Sequence, residues 1–167
     1  MKKLRFLLPL CALCLFFSCK KSSSSTGGSG SITATIDGSS QTFNFSATAS
    51  LLSVAGMQAL TITGVQSSSS STYVITLIIT PASGNVTAGT YTATAASDNV
   101  QLTYIQASTS LAYQDDPTSG SSNASVTISS ISSTHVKGTF SGKLILESGS
   151  GAATKTVTNG SFDLDIK

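Results

Sequence analysis

Tyr73–Thr80 reads YVITLIIT, and this stretch decides the fold class of the chain. In an extended strand, successive side chains point to opposite sides, which leaves both sides of this strand largely apolar. A strand with two apolar faces is typical of a central position in a sheet or of burial on both sides. Disordered chains lack such clusters, so we predict a folded domain despite the abundance of Ser, Thr, Gly and Ala.

The residues before this strand alternate between apolar and polar side chains, with the two-residue period of a strand that is buried on one face. Ile32–Ile36 alternates apolar and polar side chains, and Phe43–Ala47 resumes the alternation with Phe45 among its apolar positions. Asp37-Gly38 lies between the two runs and supplies the residue types of a tight turn. The pattern therefore predicts a hairpin here. Leu51–Ala59 is ambiguous, because its pattern fits a loop or a single helical turn.

Further strands are predicted along the rest of the chain, at Leu60–Thr63, Gly89–Ala95, Val100–Ala107, Ser125–Ile131 and Val136–Glu147. Val136–Glu147 is long enough to need a bend, for which Gly138 or Gly142 is the natural place. Tyr113–Asn123 (YQDDPTSGSSN) is predicted to be a polar loop. The last two runs, Thr154–Thr158 and Ser161–Lys167, flank Asn159-Gly160 as a tight hairpin or as one bulged strand.

No segment shows the period of a helix of ten residues, and turn signals recur every 8–15 residues. This pattern predicts an all-β fold, an antiparallel β-sandwich of about nine strands. The alternative is a lipocalin-like antiparallel barrel. Parallel β-α-β topology is excluded because the sequence offers no crossover helices.

The first residues predict export. A positive segment that ends at Arg5 precedes the uncharged apolar run Phe6–Phe17, which is too short to cross a bilayer as a stable helix. Residues 1–18 are therefore predicted to be a signal peptide. Ser18-Cys19 resembles the lipobox of bacterial lipoproteins, in which the cysteine is acylated and becomes the first residue of the mature chain. Cys19 is thus the predicted lipid-attachment residue, and residues 19–31 (CKKSSSSTGGSGS) form a Gly/Ser tether.

The predicted single β domain spans residues 32–167. After residue 18 the chain has six lysines, seven acidic residues and no arginine, so it carries one net negative charge. Nucleic-acid binding requires a clustered basic face, which this composition excludes. Cys11 and Cys14 belong to the signal peptide and Cys19 to the anchor, so the domain has no cysteine for disulfide or thiolate chemistry.

Two segments near the C terminus carry a family resemblance. Gly138–Leu144 (GTFSGKL), followed by Thr156–Ile166 (TVTNGSFDLDI), resembles the C-terminal half of a family of Bacteroidota lipoproteins of unknown function. Gly89-Thr90-Tyr91 resembles the same family's G-x-Y strand, and the leader fits as well. The resemblance covers about half of the chain after Cys19. It implies a compact β domain on a lipid anchor and assigns no catalytic residues.

The candidate chemical groups are few. His135 is the only histidine, it lies in a predicted turn that enters a strand, and no G-x-S-x-G motif accompanies it. Asp115 and Asp116 are a weak calcium candidate, because adjacent carboxylates in a polar loop also suit an ordinary turn. Asp163 and Asp165 share one strand face and are predicted to pair with a lysine of the neighbouring strand, Lys143 or Lys137. No catalytic residue, metal site or cofactor is predicted.

The sequence therefore predicts a non-enzymatic, lipid-anchored lipoprotein of the cell envelope that acts as a binding or structural accessory module. Its partners would be the membrane, through the anchor, and an envelope protein or a glycan. The resemblance to Bacteroidota lipoproteins implies placement in the outer membrane facing the periplasm, because the acidic surface-export signal that is familiar directly after the acylated cysteine in that group is missing after Cys19. One alternative is a carrier of small hydrophobic ligands with Ile75, Leu77 and Leu102 lining its cavity. The other is a carbohydrate-binding module that uses exposed tyrosines, of which the chain has four, Tyr73, Tyr91, Tyr104 and Tyr113.

Overall fold

A computed structural model describes residues 30–92, 99–115, 124–147 and 153–167. These residues form eleven strands, all paired antiparallel within one sheet, which confirms the predicted all-β fold. The strands in chain order are β1 Gly30–Ile36, β2 Ser39–Phe43, β3 Ser46–Val54, β4 Met57–Ser67, β5 Thr72–Thr80, β6 Gly89–Thr92, β7 Asn99–Gln106, β8 Leu111–Gln114, β9 Ser125–Ile131, β10 His135–Leu146 and β11 Thr154–Asp165.

The sheet consists of two halves that face each other across the core. One half has the strand order β2-β1-β11-β10-β9-β6, and the other has the order β8-β7-β5-β4-β3. β10 joins the two halves, because its first part pairs with β9 and its end pairs with β8 of the other half. The predicted central strand, β5, lies between β4 and β7, and its side chains Ile75, Leu77 and Ile79 are fully buried.

A sharp corner in the chain brings together β2 and β3, the strands at the two ends of the main strand order. β2 pairs with β1, whereas β3 pairs with β4 on the opposite half, and only residues 44 and 45 connect them. β3 then runs parallel to the end of β11, where Ala49 bridges Ile166. The sheet is therefore nearly closed into a barrel. The predicted alternation fails at this corner, since Phe43 is buried but Phe45 is 73% exposed.

β11 is a single bulged strand, one of the two arrangements that the sequence left open. Its pairing with β10 steps from Gly160 to Val157 while β10 advances by only two residues, and its pairing with β1 shifts at the same place. Asn159 lies in this bulge with a φ of 51°, in the left-handed region that asparagine tolerates better than most residues. A bulge of this kind bends the strand that carries it.

Two segments differ from the prediction. Leu51–Ala59 is neither a loop nor a helical turn but the tight hairpin between β3 and β4, in which Val54 pairs with Met57 around Ala55-Gly56. The segment after Ser110 begins with strand β8 and not with a polar loop, so Tyr113 is part of the sheet. The predicted hairpin at Asp37-Gly38 is confirmed, and these two residues have φ values of 48° and 83°.

Candidate functional site

The densest group of titratable side chains lies on the outer face of the six-stranded half. β10 supplies His135 and Lys137, and β11 supplies Asp163 and Asp165 in register opposite them. The His135 ring contacts both carboxylates, with Nε2 2.8 Å from Asp163 Oδ1 and Nδ1 3.0 Å from Asp165 Oδ1. Lys137 Nζ lies 2.9 Å from the other oxygen of Asp163. We refer to these four residues as the charged cluster.

The cluster favours the charged forms of His135 and Asp163. The hydrogen bond to Asp165 raises the pKa of His135, and the negative charge of Asp163 adds to the effect. The hydrogen bond from Lys137 lowers the pKa of Asp163. Both ring nitrogens face carboxylate oxygens, so the geometry suits an imidazolium that donates two hydrogen bonds. All four side chains are substantially exposed, and water therefore screens these interactions.

The sequence predicted part of this cluster. Lys137, and not Lys143, pairs with Asp163, while Lys143 lies opposite Thr156 at the other end of β10. The role of His135 was missed, because its partners follow it by 28 and 30 residues and only the β10–β11 register brings them together. The available signal was the spacing of two residues between His135 and Lys137 and between the two aspartates. This spacing places each pair on one face of its strand, and the face is the outer one in both strands.

The cluster lacks the geometry of a nucleophilic site. Each ring nitrogen of His135 contacts a carboxylate, which leaves neither of them to accept a proton from a serine. The neighbouring Ser132 Oγ instead accepts the backbone N–H groups of Thr134 and His135. In the part of the chain that the structure describes, no group of three or more His, Cys, Asp or Glu side chains has an arrangement that could hold a metal ion.

A row of hydroxyl side chains crosses the same outer face beside the cluster. Its members lie opposite one another on six successive strands, in the order Thr42, Thr33, Ser161, Thr139, Thr127 and Thr90. Hydroxyl oxygens 2.9 Å apart join Thr33 to Ser161 and Thr90 to Thr127. The row therefore stabilises the sheet through cross-strand pairs.

Asp115 is buried directly after β8, contrary to the exposed loop in which the sequence placed it. Its Oδ1 accepts the backbone N–H of Leu102 at 2.7 Å, and its own N–H donates to the carbonyl of Leu102 at 3.0 Å. The side chain thus takes the place of a backbone acceptor at the end of the β7–β8 ladder. Asp116, the other half of the calcium candidate, lies outside the described residues, as does Cys19.

The tyrosines that would serve a sugar platform are mostly internal. Tyr91, Tyr104 and Tyr113 are buried. Tyr73 is half-buried and stacks on Tyr104, with ring centroids 5.9 Å apart and planes within 8°. Tyr91 holds its own loop, since its hydroxyl donates to the Thr87 carbonyl and accepts the Thr87 N–H, both at 2.9 Å. These positions argue against carbohydrate binding on exposed tyrosine rings.

The interior also bears on the ligand-carrier alternative. Ile75, Leu77 and Leu102, its predicted lining, have no accessible surface and belong to one continuous core. A side chain with no accessible surface adjoins no space as large as a water molecule. A carrier would need empty volume at these residues, so their packing argues against that function.

The described residues contain no helix with the length and apolarity needed to span a membrane. No known protein family, no characterised protein and no solved structure matches the chain.

Proposed function

We propose that the protein is a lipid-anchored, non-enzymatic module of the cell envelope, tethered through Cys19 and processed after residue 18. One structural observation supports this proposal most directly. The first described residue, Gly30, pairs directly with Leu164 of β11, and Gly30 lies only eleven positions after Cys19 in the sequence. An extended chain of that length spans at most about 40 Å, which keeps the domain close to the membrane that holds the acyl chains.

The chemistry of the domain is consistent with an accessory role. Its only histidine is held between two carboxylates, and its buried aspartate, Asp115, ends a strand pair. The Ser18-Cys19 junction supplies the one residue to which we assign covalent chemistry. Several acyl chains on one cysteine anchor a protein far more firmly than a single chain.

The anchor is tested by metabolic labelling with an alkyne fatty acid in a bacterial host that processes lipoproteins. We expect label on the wild-type chain, recovery in the membrane fraction, and loss of both in Cys19→Ala. Cys14→Ala is the matched control, because it removes a cysteine of the predicted signal peptide and should leave the labelling unchanged. Label that persists in Cys19→Ala, or a wild-type chain released without fatty acid, contradicts the proposal.

A further inference from the structure

The hairpin between β3 and β4 projects from the same end of the domain at which the chain enters. Gly30, the first described residue, pairs with Leu164 near the end of β11. β3 runs parallel to that end and passes it at Ala49, which bridges Ile166 and accepts the N–H of Lys167. We call this end of the domain the base.

The hairpin extends well beyond the base. β3 continues for five residues past Ala49 to Val54, which at about 3.3 Å per residue carries the hairpin about 16 Å further. On its other side, β4 pairs with β5 as far as Leu60 and Ile79, and the loop after β5 continues beside the hairpin, where the N–H of Gln58 donates to the carbonyl of Gly84 at 3.0 Å. Residues 52–57, which we call the tip, lie beyond the last of these contacts.

The tip presents apolar side chains to solvent. Leu52 is 62% exposed and Met57 is 46% exposed, and the register of the hairpin places both on one face. The sequence around the hairpin has no charged side chain that would lose hydration at a lipid surface. The 60 residues from Gly38 to Ser97 contain no Asp, Glu, Lys, Arg or His. The carboxylates at the base, Asp163 and Asp165, are instead paired with His135 and Lys137.

The turn itself carries an unfavourable apolar residue. Ala55 and Gly56 have φ values of 51° and 83°, nearly the same as the 48° and 83° of Asp37 and Gly38 in the first hairpin. Both turns are two-residue type I′ turns, in which Asn, Asp or Gly is strongly preferred at the first position. Alanine in this conformation is strained. The sequence thus places an apolar residue where turn chemistry favours a polar one.

We propose that the tip inserts into the lipid headgroup region of the membrane that holds the Cys19 anchor, giving the domain a second point of attachment. The identity of that membrane rests on the proposed anchoring at Cys19, whereas the affinity of the tip for lipid does not. The projection from the tethered end, the exposed Leu52 and Met57, the charge-free sequence on both sides of the hairpin and the strained Ala55 all suit a lipid surface. The tip thereby fixes the orientation of the domain, with its base toward the bilayer.

Tryptophan fluorescence tests the insertion directly, because the chain contains no tryptophan. Leu52→Trp is purified as the full mature lipoprotein and reconstituted into vesicles of phosphatidylethanolamine with a minority of phosphatidylglycerol, with or without brominated acyl chains. We expect blue-shifted emission that the brominated lipid quenches. Phe45→Trp is the matched control, since Phe45 is exposed but lies four residues before Ala49, on the side away from the base. Its emission should be unaffected by bromine.

Three results would overturn the proposal. Equal absence of quenching in the two variants places the tip in water, and equal quenching means that the domain lies on the membrane without a preferred orientation. A blue shift that depends on protein concentration and is insensitive to bromine means that a second copy covers the tip. The same comparison on the unacylated mature chain carrying Cys19→Ser, with vesicles added, separates failure of the anchor from failure of the tip.

A second variant distinguishes insertion from folding. Ala55→Asp supplies the residue that the type I′ turn prefers, so its unfolding midpoint should equal or exceed that of the wild type. Its carboxylate should nevertheless weaken binding of the unacylated chain to vesicles roughly tenfold or more, because a charge loses hydration at the lipid surface. Unchanged vesicle binding in Ala55→Asp contradicts insertion of the tip.

Discussion

The ring of Phe162 occupies the space that a side chain at Gly138 would need. The two residues are opposite each other in the β10–β11 register, and a Cβ atom at Gly138 would lie 2.5 Å from Phe162 Cζ. The relation is reciprocal two pairs along the ladder, where the ring of Phe140 covers Gly160. The two phenylalanine rings also contact each other, with centroids 6.4 Å apart.

This arrangement gives a physical reason for the G-T-F and N-G-x-F motifs in the sequence. Each strand contributes one glycine and one phenylalanine, two residues apart, and each ring covers the glycine of the other strand. The polar residue between them, Thr139 on β10 and Ser161 on β11, points outward to the hydroxyl row. The motifs therefore encode packing of the core.

We expect Gly138→Ala to lower the free energy of unfolding by about 1–3 kcal/mol, because the added methyl group meets both the Phe162 ring and the Thr127 carbonyl. Urea unfolding followed by circular dichroism measures the change. Ser141→Ala, at an exposed position of the same strand outside the hydroxyl row, should alter stability by less than about 0.5 kcal/mol. A Gly138→Ala protein as stable as this control would mean that the ring moves aside without cost.

At Asn159 the backbone conformation, and not the side chain, is expected to decide stability. Asn159→Val should destabilise the domain by about 1–2 kcal/mol, because a β-branched residue tolerates the left-handed region poorly. Asn159→Gly should be nearly neutral, because glycine adopts this region freely. Thermal unfolding of the two variants separates them. Equal losses would instead indicate that a contact of the Asn159 side chain matters.

His135 should titrate above its ordinary pKa, since Asp165 and Asp163 stabilise its charged form. Its contribution to stability is fully present below the unfolded pKa of about 6.5 and is lost as the pH rises through the higher pKa of the folded state. The melting temperature of the wild type relative to His135→Gln should therefore be higher at about pH 5.5 than at about pH 8.5. Because this is the only histidine, a single imidazole signal in an NMR titration gives the pKa directly.

Lys143→Gln is the control for this pH dependence. Lys143 is an exposed charge on the same strand that lies opposite Thr156, so its removal should shift the melting temperature similarly at both pH values. A His135→Gln protein with the same pH profile as the wild type, or an NMR midpoint at or below about 6.5, would show that the two carboxylates leave the ring unaffected.

Asp115→Ala is expected to cost about 1–3 kcal/mol of stability, because it leaves the buried N–H of Leu102 without its acceptor. Chemical unfolding measures the loss. Glu147→Ala, which removes an exposed carboxylate after β10, should have little effect. If the two variants were equally stable, another acceptor would have to replace the carboxylate of Asp115.

The sequence predicted the fold wherever local chemistry specified the structure. Alternation marked the buried face of β1, and the run that is apolar on both sides marked β5 as a central strand. Asp37-Gly38 marked its turn, because an aspartate and a glycine are what a type I′ turn prefers. The second hairpin was missed for the converse reason. Ala55-Gly56 adopts the same geometry without the usual residue type, so the local sequence carried no turn signal.

The remaining differences depend on tertiary pairing. Phe45 continues the alternating pattern of β2, but the chain changes its partner strand at that point, from β1 to β4. No local sequence feature indicates this change. Likewise, the charged cluster requires a particular register between β10 and β11, set partly by the bulge at Asn159. Sequence reasoning identified the face on which these charges lie but not the partner that each one meets.

The pairing of β1 with β11 has a consequence for the order in which the protein is made. Gly30–Ile36 comes first in the domain and Thr154–Asp165 comes last, yet each needs the other to satisfy its backbone hydrogen bonds. Such distant pairing slows folding, because the chain loses the entropy of a long loop before the contacts between the two strands stabilise it. The six-stranded half cannot be completed until the ribosome has delivered Thr154–Asp165, so a product truncated before β11 lacks the strand that β1 requires.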